Sequence, residues 1–128
     1  MRHTGHHGER TAWWGRNLQK WIPVSSILRR LIVCEREGTI VSSCVCVIIP
    51  NLTRGVRPYA FVENVVTRAD ARGHGYATAC LNHAKALAQQ AGCEKMMLLT
   101  GSNDPKTLDF YRHAGYSSTD KTAFIQWL

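Results

Sequence analysis

The chain has no apolar run long enough to span a bilayer, and its first residues lack the apolar core of a signal peptide. The expectation is therefore a cytoplasmic protein with no membrane partner. The five cysteines, Cys34, Cys44, Cys46, Cys80 and Cys93, are odd in number and contain no Cys-x-x-Cys pair. That argues against a zinc site and against a disulfide framework, so no metal is expected. Cys44 and Cys46 alternate with Val45 and Val47 and read as small buried residues. Acidic residues are scarce: nine Asp and Glu stand against sixteen Lys and Arg in 128 residues, a net charge of +7. Such a surface attracts anions, nucleic acid and phosphorylated small molecules alike. The cations are spread from Arg2 to Arg72 with no single basic block, which argues against a dedicated nucleic-acid arm. There is no internal repeat and no low-complexity segment, and the length is that of one domain.

What is present reads as an alternation of strands and helices. Residues 1–22 divide from the rest as an N-terminal tail followed by an apolar helix. His3, His6 and His7 lie in a solvated tail, and Trp13, Trp14, Leu18, Trp21 and Ile22 are spaced like one helix face that Pro23 ends. Those tryptophans would leave an apolar patch on a monomer, so a homodimer through the N-terminal helix is expected. Residues 23–128 form the main domain. Leu31 to Glu35 is a strand, Glu37-Gly38 a hairpin turn, Thr39 to Ile49 the return strand and Tyr59 to Thr67 the next. From Gly75 to Ala91 a helical stripe runs through Tyr76, Ala77, Cys80, Leu81, Ala84, Leu87 and Ala88, with Gly92 as its stop. Lys95 to Thr100 is a buried strand. Asp104-Pro105 caps a second helix that ends at Gly115, and Lys121 to Trp127 is a last strand. The strand–helix–strand unit from Tyr59 to Thr100 implies parallel pairing with a right-handed crossover.

The most informative residues are Arg72-Gly73-His74-Gly75-Tyr76-Ala77, which lie between a β-branched strand and a helix. Glycines there let the backbone approach a ligand, and the free N–H groups of a first helical turn attract phosphate oxygens. The dinucleotide fingerprint Gly-x-Gly-x-x-Gly is excluded, because its third glycine is Thr78 here. A tight strand-to-helix turn with no ligand is the plainer alternative.

The pattern Arg72-x-x-Gly75-x-Ala77, preceded by Glu63-Asn64-Val65-Val66-Thr67, resembles the acetyl-CoA motif of the GCN5-related N-acetyltransferases, the GNAT superfamily. A second motif of that family resembles Phe110-Tyr111-Arg112-His113-Ala114-Gly115-Tyr116. The resemblance covers roughly Leu31 to Trp127. It implies an α/β fold with a mixed, mostly antiparallel central sheet and flanking helices, its N-terminal part shortened. Family members begin with a strand and two helices that wall the acceptor site, whereas this sequence offers one apolar helix there. The acceptor pocket would then be open, trimmed or completed by a second subunit.

The resemblance also implies roles. Acetyl-CoA would be the acetyl donor and a small-molecule primary amine the acceptor. The backbone of Val65, Val66 and Thr67 would pair with the pantetheine arm, and the N–H groups of Gly73, His74, Gly75, Tyr76, Ala77 and Thr78 would wrap the pyrophosphate beside Arg72. Tyr111 would return a proton to the departing thiolate, as a phenol of similar basicity can. Glu63, on the cofactor strand, is the candidate base, and alternation would put it on one face with Val65 and Thr67. A structural carboxylate paired with an arginine is the other reading of Glu63. Asn103, one residue off the family spacing, is a cofactor contact by resemblance, while Asp104 reads as a helix cap. A basic chain suits an acidic or neutral amino compound better than a polycationic aminoglycoside. Two further readings remain at this level: an acyl-CoA-binding domain without turnover, and a basic nucleic-acid-binding module.

Overall fold

The computed structural model describes residues 10–14, 17–21, 28–51 and 57–128. Its elements in chain order are β1 (Arg10–Trp14), β2 (Asn17–Trp21), β3 (Leu28–Arg36), β4 (Thr39–Ile49), β5 (Tyr59–Thr67), α1 (Tyr76–Gln90), β6 (Met96–Leu98) and α2 (Pro105–His113). The histidines of the N-terminal tail, and Ile22 and Pro23, lie outside the described residues.

Four strands form the main sheet in the order β3-β4-β5-β6. The first three are antiparallel, and β5 pairs with β6 in parallel through α1, as the strand–helix–strand pattern requires. The β3–β4 turn is made by Glu37 and Gly38 with φ of 51° and 79°, the doubly positive conformation that suits a two-residue hairpin. α1 lies on one face, against β3, β4 and β5. The core sits between them and consists of Ile32, Cys44, Cys46, Ile48, Ala60, Val62, Cys80, Leu81, Ala84 and Ala88. On β4 the buried residues Cys44, Cys46 and Ile48 alternate with half-buried Ser43, Val45 and Val47, so one face is packed. The cysteines are free thiols.

Both helices end as their glycines dictate. Beyond α1, Gly92 has φ of 78°, its N–H donates to the Gln89 carbonyl, and Cys93 N–H donates to the Ala88 carbonyl. Beyond α2, Gly115 and Tyr116 repeat the arrangement onto Arg112 and Tyr111. A left-handed residue that turns the chain back on the last carbonyls is the reason glycine belongs there. The second stop has a consequence for chemistry, because it brings the Tyr116 ring edge-on to Tyr111, centroids 6.2 Å apart.

Two expectations are corrected. Residues 10–21 are not a helix: β1 and β2 pair antiparallel, with Trp13 opposite Leu18 and Trp14 opposite Asn17. Tryptophan favours strands, and four apolar residues at helical spacing in a short window do not exclude a hairpin. A dimer contact through an N-terminal helix therefore loses its element. Lys121 to Trp127 is the second correction, since these residues form no strand. A strand exists only where another edge pairs its N–H and C=O groups, and among the described residues none does so here.

Candidate active site

The site is built where β5 runs on without β6. Their pairing covers Ala60–Met96, Phe61–Met97 and Val62–Leu98 and then ends, while β5 continues to Thr67. Among the described residues, no strand lies on that side of β5 from Glu63 to Thr67. Val65, Val66 and Thr67 thus border an open slot, where an extended ligand can add itself like a strand.

Within this stretch the sheet carries a bulge. Ser43 pairs with Val66 and Val45 with Glu63, so Asn64 and Val65 together oppose Cys44. Asn64 has φ of 53°, a left-handed conformation that Asn tolerates better than most residues. Two residues against one invert the alternation beyond the bulge. Ala60 and Val62 face the core before it, and Val65 packs against the core after it. Ser42 ties down the far side. Its hydroxyl donates to the Val66 carbonyl at 3.0 Å and shares a 2.8 Å hydrogen bond with Thr67 Oγ1. Glu63 consequently lies on the opposite face from Val65 and Thr67, half-buried beside Val45. Strict alternation misplaces it, because a bulge is invisible to a period-two reading.

After β5 a short 3-10 turn, Ala69–Ala71, leads into the glycine turn. Gly73 and Gly75 have φ of 80° and 81°, and a Cβ at either would meet nothing within 4 Å, so the space before them is open. Gly75 is the N-cap of α1 and no side chain caps the helix. The N–H groups of the first turn, at Tyr76, Ala77 and Thr78, are therefore presented to an anion with the helix dipole behind them. Arg72 Nε donates to the Thr67 carbonyl at 3.4 Å, which holds its charge at the rim. His74 Nδ1 lies 3.0 Å from the Arg72 carbonyl, and its ring stacks on Tyr76 at 5.7 Å. The Arg36 guanidinium sits 5.9 Å from the centre of the Tyr76 ring. Neither Arg36 nor Ser42 is visible to sequence reasoning. Ser42 reaches the site through strand pairing with Thr67 and Arg36 through its contact with the Tyr76 ring, each more than twenty positions along the chain, and neither belongs to a recognisable motif.

Tyr111, on α2, packs on the same core cluster as Val65. Burial pushes its phenol above the ordinary value of 10, and the nearby Cys44 thiol raises it further. The Tyr111 ring is fixed edge-on between Phe110, at 5.1 Å, and Tyr116. Tyr116 has a buried hydroxyl without a hydrogen-bond partner among the described residues, and burial pushes its phenol up to about 12. The thiols follow the same physics. Burial first, then Cys80 and Cys46, push Cys44 up to about 11, and burial also raises Cys46 and Cys80. Near neutral pH these are thiols and poor nucleophiles, which suits a core role. Asp104 accepts from Lys106 N–H at 3.0 Å and caps α2, as the sequence implies, while Asn103 beside it is exposed. Among the described residues, no group of three metal-ligating side chains occurs.

The family model of the acetyltransferase (GNAT) family matches residues 5–116. A glucosamine 6-phosphate N-acetyltransferase of Trypanosoma brucei brucei is 28% identical over 97 residues, which are 76% of this chain and 64% of that enzyme. The chain thus spans less than two thirds of that relative's length. Among solved structures, a putative acetyltransferase from Agrobacterium tumefaciens str. C58 superposes with a TM-score of 0.72 at 40% identity, over 77% of this chain and 69% of that one. A transcriptional regulator from Bacillus halodurans C-125 superposes with a TM-score of 0.70 at 27% identity, over 77% and 66% of the two chains.

Proposed function

The chain belongs to the acetyltransferase (GNAT) family, and from that premise we propose that it moves an acetyl group from acetyl-CoA to a primary amine of a small molecule by direct attack. The observation that carries this reading is the uncapped α1 N-terminus beside the free edge of β5. Phosphates fit the turn, whose glycines leave open space and whose N–H groups need an acceptor. Arg72 and Arg36 supply positive charge there, and the backbone of Val65 to Thr67 holds the extended part of the donor. Acetyl-CoA, when bound, supplies the activated acetyl group.

The chain's own residues handle the protons. Glu63 takes a proton from the ammonium group of the acceptor, directly or through water, on the face of the sheet away from α1. A backbone N–H of Val66 or Thr67 polarises the thioester carbonyl. Tyr111 keeps its proton near neutral pH and gives it to the departing sulfur. The acceptor is an acidic or neutral amino compound, which a chain with a net charge of +7 favours over a polycation. The trypanosomal relative is named for such an anionic amino sugar, which supports the same class.

Acetyl-CoA at a hundredfold excess over its dissociation constant is expected to stabilise the fold by about 2.7 kcal/mol. That raises the melting midpoint by several degrees for a domain of this size. No shift at saturating acetyl-CoA would remove the donor site from this reading. Release of free thiol with a panel of amines then separates an enzyme from a domain that binds acyl-CoA without turnover. Glu63→Gln is expected to slow transfer most at low pH, with a loss that shrinks as pH rises and the free amine becomes abundant. A loss that stays constant across pH would assign Glu63 a structural role.

A further inference from the structure

His74 is the one residue of the glycine turn whose side chain type changes charge near neutral pH. Its ring is held in a fixed orientation. Nδ1 lies 3.0 Å from the Arg72 carbonyl oxygen and 3.2 Å from that of Ala71. A carbonyl oxygen only accepts, so Nδ1 carries the hydrogen and donates it. The ring also stacks on Tyr76, with centroids 5.7 Å apart and planes at 15°. The neutral ring then has no hydrogen on Nε2. Among the described residues that nitrogen has no hydrogen-bond partner. A bare lone pair beside a turn that receives phosphates has the wrong polarity, since a phosphate oxygen is an acceptor too. One proton reverses it.

The surrounding charges decide when that proton arrives. Arg72 stands on the same turn, and Arg36 comes from β3 to 5.9 Å from the centre of the Tyr76 ring. The N-terminus of α1, capped at Gly75, adds positive potential. Arg68 and Asp70, before the turn, offset one another at 2.6 Å. Before the donor binds, the two arginines and the helix end disfavour a further positive charge on the imidazole. A bound diphosphate brings two negative charges to the same place and favours it.

We propose that His74 takes up a proton from solvent as the donor's phosphates bind, so that Nε2–H donates to a phosphate oxygen and donor binding is coupled to pH. This rests on the donor site of the proposed function and adds its regulation. A proton taken up on binding means that affinity rises as pH falls through the imidazole range. One full proton per donor corresponds to at most about a tenfold change for each pH unit.

Isothermal titration of the full chain with acetyl-CoA at about pH 7, in two buffers of different ionisation enthalpy, counts the protons taken up. His74→Asn is the comparison. Its amide nitrogen can take the place of Nδ1 and donate to the same carbonyls, but it has no titrating ring. The donor's phosphate monoester changes its own charge at about pH 6 and contributes alike to both proteins. The parent is expected to take up a larger fraction of a proton than His74→Asn, and its affinity is expected to depend more steeply on pH. Equal uptake by the two overturns the inference and leaves the donor site standing, whereas a parent that binds no acetyl-CoA removes the donor site itself. If His74→Asn fails to fold or to bind, NMR of the histidine ring nitrogens decides on the parent alone. His113, whose Nδ1 lies 2.8 Å from the Asp109 carbonyl, gives a reference ring of the same tautomer on α2. One Nδ1–H ring is expected to become doubly protonated at saturating acetyl-CoA while the reference ring stays as it is. A spectrum in which no Nδ1–H ring gains a proton overturns the inference.

Discussion

Replacing Tyr111 with Phe is expected to lower kcat by ~10²–10⁴-fold, the range that a positioned general acid contributes. This corresponds to about 2.7–5.4 kcal/mol of transition-state stabilisation. The substitution removes one hydroxyl and keeps the ring, so the edge contacts with Phe110 and Tyr116 remain and the fold is unchanged. The proton is transferred only as the carbon–sulfur bond breaks, so the loss falls on kcat and leaves the KM for acetyl-CoA nearly constant. The pH profile carries a second signature. Burial raises the Tyr111 phenol above 10, so the protonated acid persists further into alkaline solution than an exposed tyrosine would. The parent is therefore expected to show no alkaline limb from this group below about pH 10. Nearly full kcat in the Phe variant, where chemistry is rate-limiting, would make Tyr111 a packing residue and water the acid.

Gly75→Val is expected to abolish the acetyl-CoA-dependent thermal shift. A β-branched residue at φ of 81° is disfavoured, and a left-handed position costs about 1–2 kcal/mol for an ordinary residue. The fold can absorb that loss, because a Cβ at this position meets nothing within 4 Å beyond its chain neighbours. The empty space is what the ligand needs. Branched carbons placed there stand in front of the first-turn N–H groups and exclude phosphate oxygens. The variant should unfold cooperatively at a somewhat lower midpoint, with or without acetyl-CoA. A shift equal to the parent's would mean that the Arg72–Ala77 turn only connects strand to helix.

The glycine turn is legible because its determinants are local. Gly73, Gly75, Gly92 and Gly115 all adopt positive φ, a conformation that a glycine makes cheap and that its neighbours cannot change much. Asp104-Pro105 starts α2 for an equally local reason. The strands Thr39–Ile49 and Tyr59–Thr67 match their sequence reading residue for residue, because each carries β-branched residues between clear breaks at Gly38, Pro50 and Pro58. Dihedral preference, capping and hydrophobic period are short-range properties, and a single sequence contains them in full.

Features that depend on register and on distant partners were not legible. Trp13, Trp14, Leu18 and Trp21 match helical spacing, yet the backbone pairs as a hairpin, because strand register is settled between segments. Glu63 changes face relative to Val65 on account of a bulge that exists only against Cys44 of β4. Arg36 and Ser42 join the site through contacts about forty and twenty-five positions along the chain, at Tyr76 and Thr67. The final stretch has every local mark of a strand, yet among the described residues it pairs with none. The sequence by itself determined where the chain turns, where α1 and α2 begin and stop, and where the glycine turn lies between strand and helix. Only the tertiary structure decided which face each side chain takes and which distant residues meet it, since a strand's hydrogen bonds are made with another segment and never within itself.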